Sequence, residues 1–258
     1  MKNISFEQVN INGGFWSAKQ HMLLTTAESV YERFKETYRF EAMDVKGWLN
    51  RLLQEEQTNH PDALISPDDP AQSIHQDEPP LTASALQNSG APSTDRPRIG
   101  HIFWDSDIAK WIEGTAYLLE IAKEWKNSAD HTEVEIQKLG LLEQICDETI
   151  DTICKNADEN GYFNSHFQVT EALHEANRFT DRSQHELYCA GHLIEAAIAY
   201  KRATGKTKLL DLMIRYADYI DRIFRVENAA AFVTPGHPEL ELSLVKLSKE
   251  TGEKRYLE

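Results

Sequence analysis

The feature that most narrows the fold is a repeated helix stop. Ala203-Thr204-Gly205-Lys206 precedes Leu209-Leu210-Asp211, and 47 residues later Glu250-Thr251-Gly252-Glu253 precedes Tyr256-Leu257-Glu258. In each, a glycine follows an amphipathic run, where a left-handed residue closes a helix without steric cost, and a second helix starts at once. Helical hairpins at this period build an α-solenoid or a closed ring of helix pairs. The echo is looser than open solenoids show, and polar and aromatic residues gather in loops and at helix starts. Both points favour an all-α fold, a closed α/α toroid of helical hairpins rather than an open solenoid.

Apolar periodicity places helices at roughly 18–38, 41–57, 105–126, 133–155, 184–204, 207–225 and 239–251. Residues 3–12 alternate weakly and end at Gly13-Gly14, which predicts a short N-terminal β arm. Residues 161–167 read as a loop with some extended character. Residues 58–100 hold seven of the nine prolines and few large apolar groups. Such a stretch cannot offset its ordering entropy and is expected to be a disordered insertion.

Asp and Glu outnumber Lys and Arg by 42 to 27, a formal net charge of −15. So acidic a surface argues against nucleic acid and against an anionic membrane as partners. No stretch is apolar enough for a membrane helix, and the first residues lack the apolar core of a secretory leader. Three cysteines without framework spacing suit free thiols in a reducing compartment, so a cytoplasmic location is expected.

Three segments concentrate chemistry. In His185-Glu186-Leu187-Tyr188-Cys189-Ala190-Gly191-His192, helical spacing puts His185, Cys189 and His192 on one face, with Asp181, Arg182 and Glu195 nearby. This face could hold a metal, wall a ligand site, or be core histidines around a small buried Cys. In the second segment, His101 to Glu113, Asp105 or Ser106 is placed to cap a helix. Trp104 is placed just outside that helix, as a stacking platform for a sugar ring or as a hydrophobic staple. In the third, Thr234 to Glu241, Pro238 suits the first helical position and His237 the helix N-terminus, as a hydroxyl-binding imidazole or a plain loop residue. Glu186, Glu195, Glu239 and Glu241 are expected on solvated or capping faces, and no two carboxylates are assigned a shared site.

Together these segments resemble one family. Phe103-Trp104-Asp105-Ser106-Asp107-Ile108-Ala109-Lys110-Trp111-Ile112-Glu113, Gly161-Tyr162-Phe163-Asn164, the run from His185 to Glu195, Ala203-Thr204-Gly205-Lys206 and Pro235-Gly236-His237-Pro238-Glu239 are similar to signatures of glycoside hydrolase family 127, of β-L-arabinofuranosidase type. Phe15-Trp16 fits its opening segment. The resemblance implies an (α/α)6 barrel and retaining, exo-acting release of β-L-arabinofuranose from a non-reducing end. It also implies a zinc-bound cysteine thiolate as nucleophile and a glutamate as acid/base, both placed later in the barrel than this chain extends. Residues 1–258 are therefore expected to be an incomplete N-terminal part of the catalytic domain. No catalytic or zinc residue carries over to it, and it is expected to bind no zinc and to be inactive alone. What does carry over is the sugar pocket: His185 and His237 match arabinose-binding positions, with His192, Trp104 and Asp107 as further candidates. The substrate implied is a small arabinofuranoside. The alternatives are a non-catalytic helical scaffold derived from that fold, or an α/α-barrel hydrolase for another sugar.

Overall fold

The computed structural model describes Ile4 and residues 6–9, 13–59, 100–125, 132–173 and 178–258. Most of the expected insertion at 58–100 lies outside these residues. Nine α-helices are described: α1 (Gly14–Glu36), α2 (Arg39–Ala42), α3 (Val45–Asn59), α4 (Trp104–Ile121), α5 (Glu133–Asn156), α6 (Ser165–Leu173), α7 (Glu186–Thr204), α8 (Lys208–Asp221) and α9 (Glu239–Thr251). No strand occurs among the described residues. Where the β arm was expected, Phe6–Gln8 forms a 3-10 turn, and the Phe6 ring packs edge-on against Tyr117 at 4.8 Å. A lone arm with no second strand to pair with gains more from that aromatic contact than from extension. None of the described helices is long and apolar enough to cross a membrane.

α7 is the axis of the packing. No residue of this helix is exposed, and it lies between α4 and α9. A helix buried on all sides is an inner helix. α8 is the opposite type: Leu209, Leu212, Met213, Tyr216 and Ile220 are buried on one face, while Asp211 and Arg215 carry the solvent face. The two predicted helix stops are present, with Gly205 and Gly252 both at φ 79° closing α7 and α9. A capping box starts α5: Thr132 Oγ1 accepts from Glu135 N at 3.2 Å, and Glu135 Oε2 accepts from Thr132 N at 2.7 Å.

α6 occupies part of the stretch read as loop. Its segment is rich in β-branched and aromatic residues, which hold helix poorly in isolation. Asn164 Oδ1 accepts from Phe167 N at 2.8 Å, and Asp105 accepts from Ser165 N at 2.9 Å. Asp105 comes from α4, sixty residues away in sequence. It does not cap its own helix as expected, and a local reading could not find its partner.

The loop before α7 is tied by a buried carboxylate. Glu186 accepts from Tyr162 Oη and from Phe179 N, both at 2.7 Å. Burial pushes its pKa up to about 7. The folded chain therefore keeps a proton that the unfolded chain has released between about pH 4.5 and 7. This contribution is whole below about pH 4.5 and is lost as pH rises through 7, by on the order of 3 kcal/mol. Asp105, raised by burial to about 6, acts in the same direction. Urea unfolding at pH 5 and pH 8 should show lower stability at the higher pH. Glu186→Gln should flatten that difference; an unchanged pH slope would place the titration elsewhere.

Gly161 makes a second demand on the backbone. It stands at φ +89°, and a Cβ there would lie 2.5 Å from Tyr216 N, a backbone atom that cannot swing away. Gly161→Ala should destabilise by about 2–4 kcal/mol, read as a fall in urea midpoint without a change in m-value.

Candidate active site

The site is built where the chain enters α7. Asp181 Oδ1 accepts from Ser183 N at 2.8 Å and opens a 3-10 turn, Arg182–Gln184. His185 ends that turn and caps α7 in the left-handed region, φ 59° and ψ 24°, with its carbonyl accepting from Cys189 N at 3.0 Å. The half-buried imidazole stands at this corner of the chain. Its ring stacks on His237 at 4.9 Å and 27°, and lies tilted on Phe103 at 4.7 Å. Its Nδ1 is buried without a hydrogen-bond partner. Burial, then the neighbouring His237, lowers its pKa, so the ring is neutral at neutral pH. A neutral imidazole offers a hydroxyl one donor and one acceptor.

His237 is exposed and rides on the loop that leads into α9. Gly236 lets that loop come close: a Cβ there would lie 3.0 Å from Arg182 O. Tyr188 joins the two histidines, its ring centroid 6.1 Å from His185 and 5.2 Å from His237. Its hydroxyl accepts from Lys110 Nζ at 2.8 Å. Tyr188 and Phe103 also line a cleft of about 750 Å³ that runs between α4 and the end of α1. On its far side, Arg39 donates to Asp107 Oδ2 at 2.9 Å and covers the Trp104 ring at 5.6 Å. Aromatic faces beside paired polar groups suit a ring compound bearing hydroxyls.

The sequence-expected residues are thus partly assembled. His185 and His237 form one pair, and Trp104 and Asp107 share the adjoining cleft. Trp104 is the first residue of α4 rather than a residue outside it. His192 points away from the cleft: its ring meets the Tyr188 ring at 4.5 Å, and its Nδ1 lies 3.2 Å from Glu239 Oε1. Tyr188, Lys110, Arg39 and Phe103 were missed. Tyr188 was open to inference, because it follows His185 by three positions and shares its helical face. Arg39 was not, because its partner Asp107 is 68 residues distant.

The glutamates correct another expectation. Glu186 and Glu195 are buried, not solvated, and Glu239 is largely covered, while Glu241 is exposed. An inner helix has no solvent face, so its polar residues must find partners inside.

Cys189 is fully buried, with Sγ 3.1 Å from Ile102 O. Burial pushes the Cys146, Cys154 and Cys189 thiols up, holding them as thiols rather than thiolates. Glu113, His192 and Glu195 bring possible ligand atoms within 4.8 Å of one another, but the Lys246 ammonium already pairs with Glu195 there. Neither arrangement offers a zinc–thiolate centre among the described residues.

Comparison with known proteins fixes the class. Residues 8–258 match the β-L-arabinofuranosidase, GH127 catalytic domain family. The chain belongs to this family of glycoside hydrolases. It is similar to the non-reducing end β-L-arabinofuranosidase of Bifidobacterium longum subsp. longum, 36% identical over 193 residues that make up 74% of this chain and 27% of that protein. A GH127 β-L-arabinofuranosidase from Geobacillus stearothermophilus T6 aligns at TM-score 0.51 and 32% identity, over 85% of this chain and 30% of that one. A GH127 β-arabinofuranosidase structure shares the fold at TM-score 0.63 and 23% identity, over 97% of this chain and 32% of that one. The chain therefore spans less than a third of the length of these relatives.

A thiol reagent tests the burial argument. In the native chain Cys146 and Cys189 should resist Ellman's reagent and Cys154 should react slowly, with all three reacting in urea. A fast-reacting Cys189 would mean a thiolate at the site.

Proposed function

We propose that this chain forms the sugar-binding wall of a glycoside hydrolase that releases β-L-arabinofuranose from non-reducing ends with retention. The nucleophile, acid/base and zinc ligands of that reaction are assigned to chain outside residues 1–258, which make this the N-terminal part of an (α/α)6 catalytic domain. The observation that carries the reading is the stacked His185–His237 pair joined to Tyr188 and Phe103 at the cleft. The neutral His185 ring binds a sugar hydroxyl through one nitrogen, and His237 supplies a second contact 4.9 Å away. The Tyr188 and Phe103 faces cover the apolar side of the furanose, and Lys110 fixes the Tyr188 hydroxyl. Each hydroxyl contact contributes about 0.5–1.5 kcal/mol, so these groups orient the sugar and leave bond cleavage to others. We assign the protein to the cytoplasm, on the strength of its three free thiols.

Methyl β-L-arabinofuranoside titrated into the 258-residue chain should perturb the His185, His237 and Tyr188 ring signals in NMR. His185→Ala and His237→Ala should each weaken binding by about 3–10-fold. An aryl β-L-arabinofuranoside should be hydrolysed, with arabinose first released as the β anomer, only by a longer protein that contains this segment. A longer protein that binds but cleaves a different glycoside would reassign the sugar. One that binds no glycoside would favour a scaffold role.

A further inference from the structure

The cleft beside the His185–His237 pair, about 750 Å³, is as large as sites that enclose whole drug-sized ligands. It has room for a ring beyond the furanose, and its walls are charged against the trend of the chain. The chain carries a formal net charge of −15, yet this cleft is lined by two cations, Arg39 and Lys110, and one carboxylate, Asp107. That carboxylate is already matched, since Arg39 Nε donates to Asp107 Oδ2 at 2.9 Å. One positive charge is left over, that of Lys110. Its ammonium donates to Tyr188 Oη at 2.8 Å and stands 4.8 Å from the centre of that ring. It makes no ion pair with any described residue.

Arg39 is held ready for a further partner. Besides its bond to Asp107 it donates through Nη1 to Thr37 Oγ1, and its guanidinium lies 4.9 Å from the centre of the Phe34 ring. Its Nη2 has no partner among the described residues. A guanidinium so fixed gives up little side-chain entropy when it binds. His101 adds a third donor to the same cleft. Its Nδ1 accepts from Phe103 N at 3.4 Å, which leaves the hydrogen on Nε2. Asp107 and Lys110 are three positions apart on α4, which sets their Cβ atoms about 5–6 Å apart on one face. The guanidinium resting on Asp107 and the free ammonium therefore share one wall.

A neutral sugar leaves that surplus charge unanswered. A phosphate ester, with about 1.5–2 negative charges at pH 7, exceeds it. A sugar carboxylate carries a single charge and offers two oxygens to donors of this kind. The Phe103 and Tyr188 rings give its ring an apolar face to lie on. We propose that the cleft between α4 and the end of α1 is a second sugar subsite that takes an acidic unit, a uronate, with Lys110 and Arg39 as the residues that recognise its carboxylate. That this unit neighbours an arabinofuranose, so that the enzyme trims an acidic glycan, rests on the function proposed above; the preference of the cleft for a uronate does not.

Methyl α-D-glucuronide and methyl α-D-glucoside differ only by a carboxylate in place of a hydroxymethyl group, and each can be titrated into the 258-residue chain by NMR. The uronide should bind about 5–10-fold more tightly and move the Trp104 and Tyr188 ring signals. In about 0.5 M salt that advantage should shrink to about twofold. Lys110→Met should abolish it, and Lys110→Arg should keep most of it. The readout is a ratio of two ligands in one chain, so a variant that only distorts the cleft weakens both and leaves the ratio standing. Equal affinities in the native chain, an advantage that salt does not reduce, or a K110M chain that retains it would each overturn the proposal. Glucose 6-phosphate binding more tightly than the uronide would overturn the choice of a carboxylate. Methyl β-L-arabinofuranoside titrated in parallel separates the two readings. Uronide preference without arabinoside binding would keep the acidic subsite and remove the furanose beside it. Arabinoside binding without uronide preference would overturn the subsite and leave the function above intact.

Discussion

The contact between Gly191 and Glu239 is the constraint on which the rest of this structure turns. α7 is packed between α4 and α9, and at Gly191 the absence of a side chain lets the first residue of α9 press against its backbone. That approach delivers the Pro235–Pro238 loop to the entrance of α7, where Gly236 makes a second close contact. Any side chain at 191 would push α9 outward and separate His237 from His185. Two missing β-carbons, rather than an attractive interaction, set the geometry of the candidate site.

The inner position of α7 also explains its polar content. A helix without a solvent face gains from apolar residues everywhere except where a buried polar group fixes a neighbour. Glu186 fixes the loop at Phe179 and the ring of Tyr162. Glu195 and His192 face α9. These groups lie at different heights along the helix, so one helix ties several elements at once.

Much of this was legible in the sequence because it was local. The glycines at 205 and 252 and the helical face of His185 depend on neighbours within one or two turns. The helix over 165–173 did not read as a helix because its start is satisfied by Asp105, which arrives from another hairpin. Arg39 was hidden for the same reason, and Glu195 and Glu239 were misplaced because nothing local distinguishes a buried glutamate from a solvated one. The His185–His237 pair was recovered only through resemblance to a family, since 52 residues separate the two rings.

The left-handed backbone at His185 has a consequence for how the site can vary. At φ 59° a β-branched residue would be strongly strained, and asparagine, aspartate and glycine are the side chains that take the conformation most readily. The imidazole is therefore fixed to a corner of the chain that admits few replacements. Tyr188 and Phe103, on ordinary helical and capping backbone, can accept many residue types. Variation in ligand preference among relatives should accordingly accumulate at these two positions, while position 185 draws on a vocabulary of only a few residues.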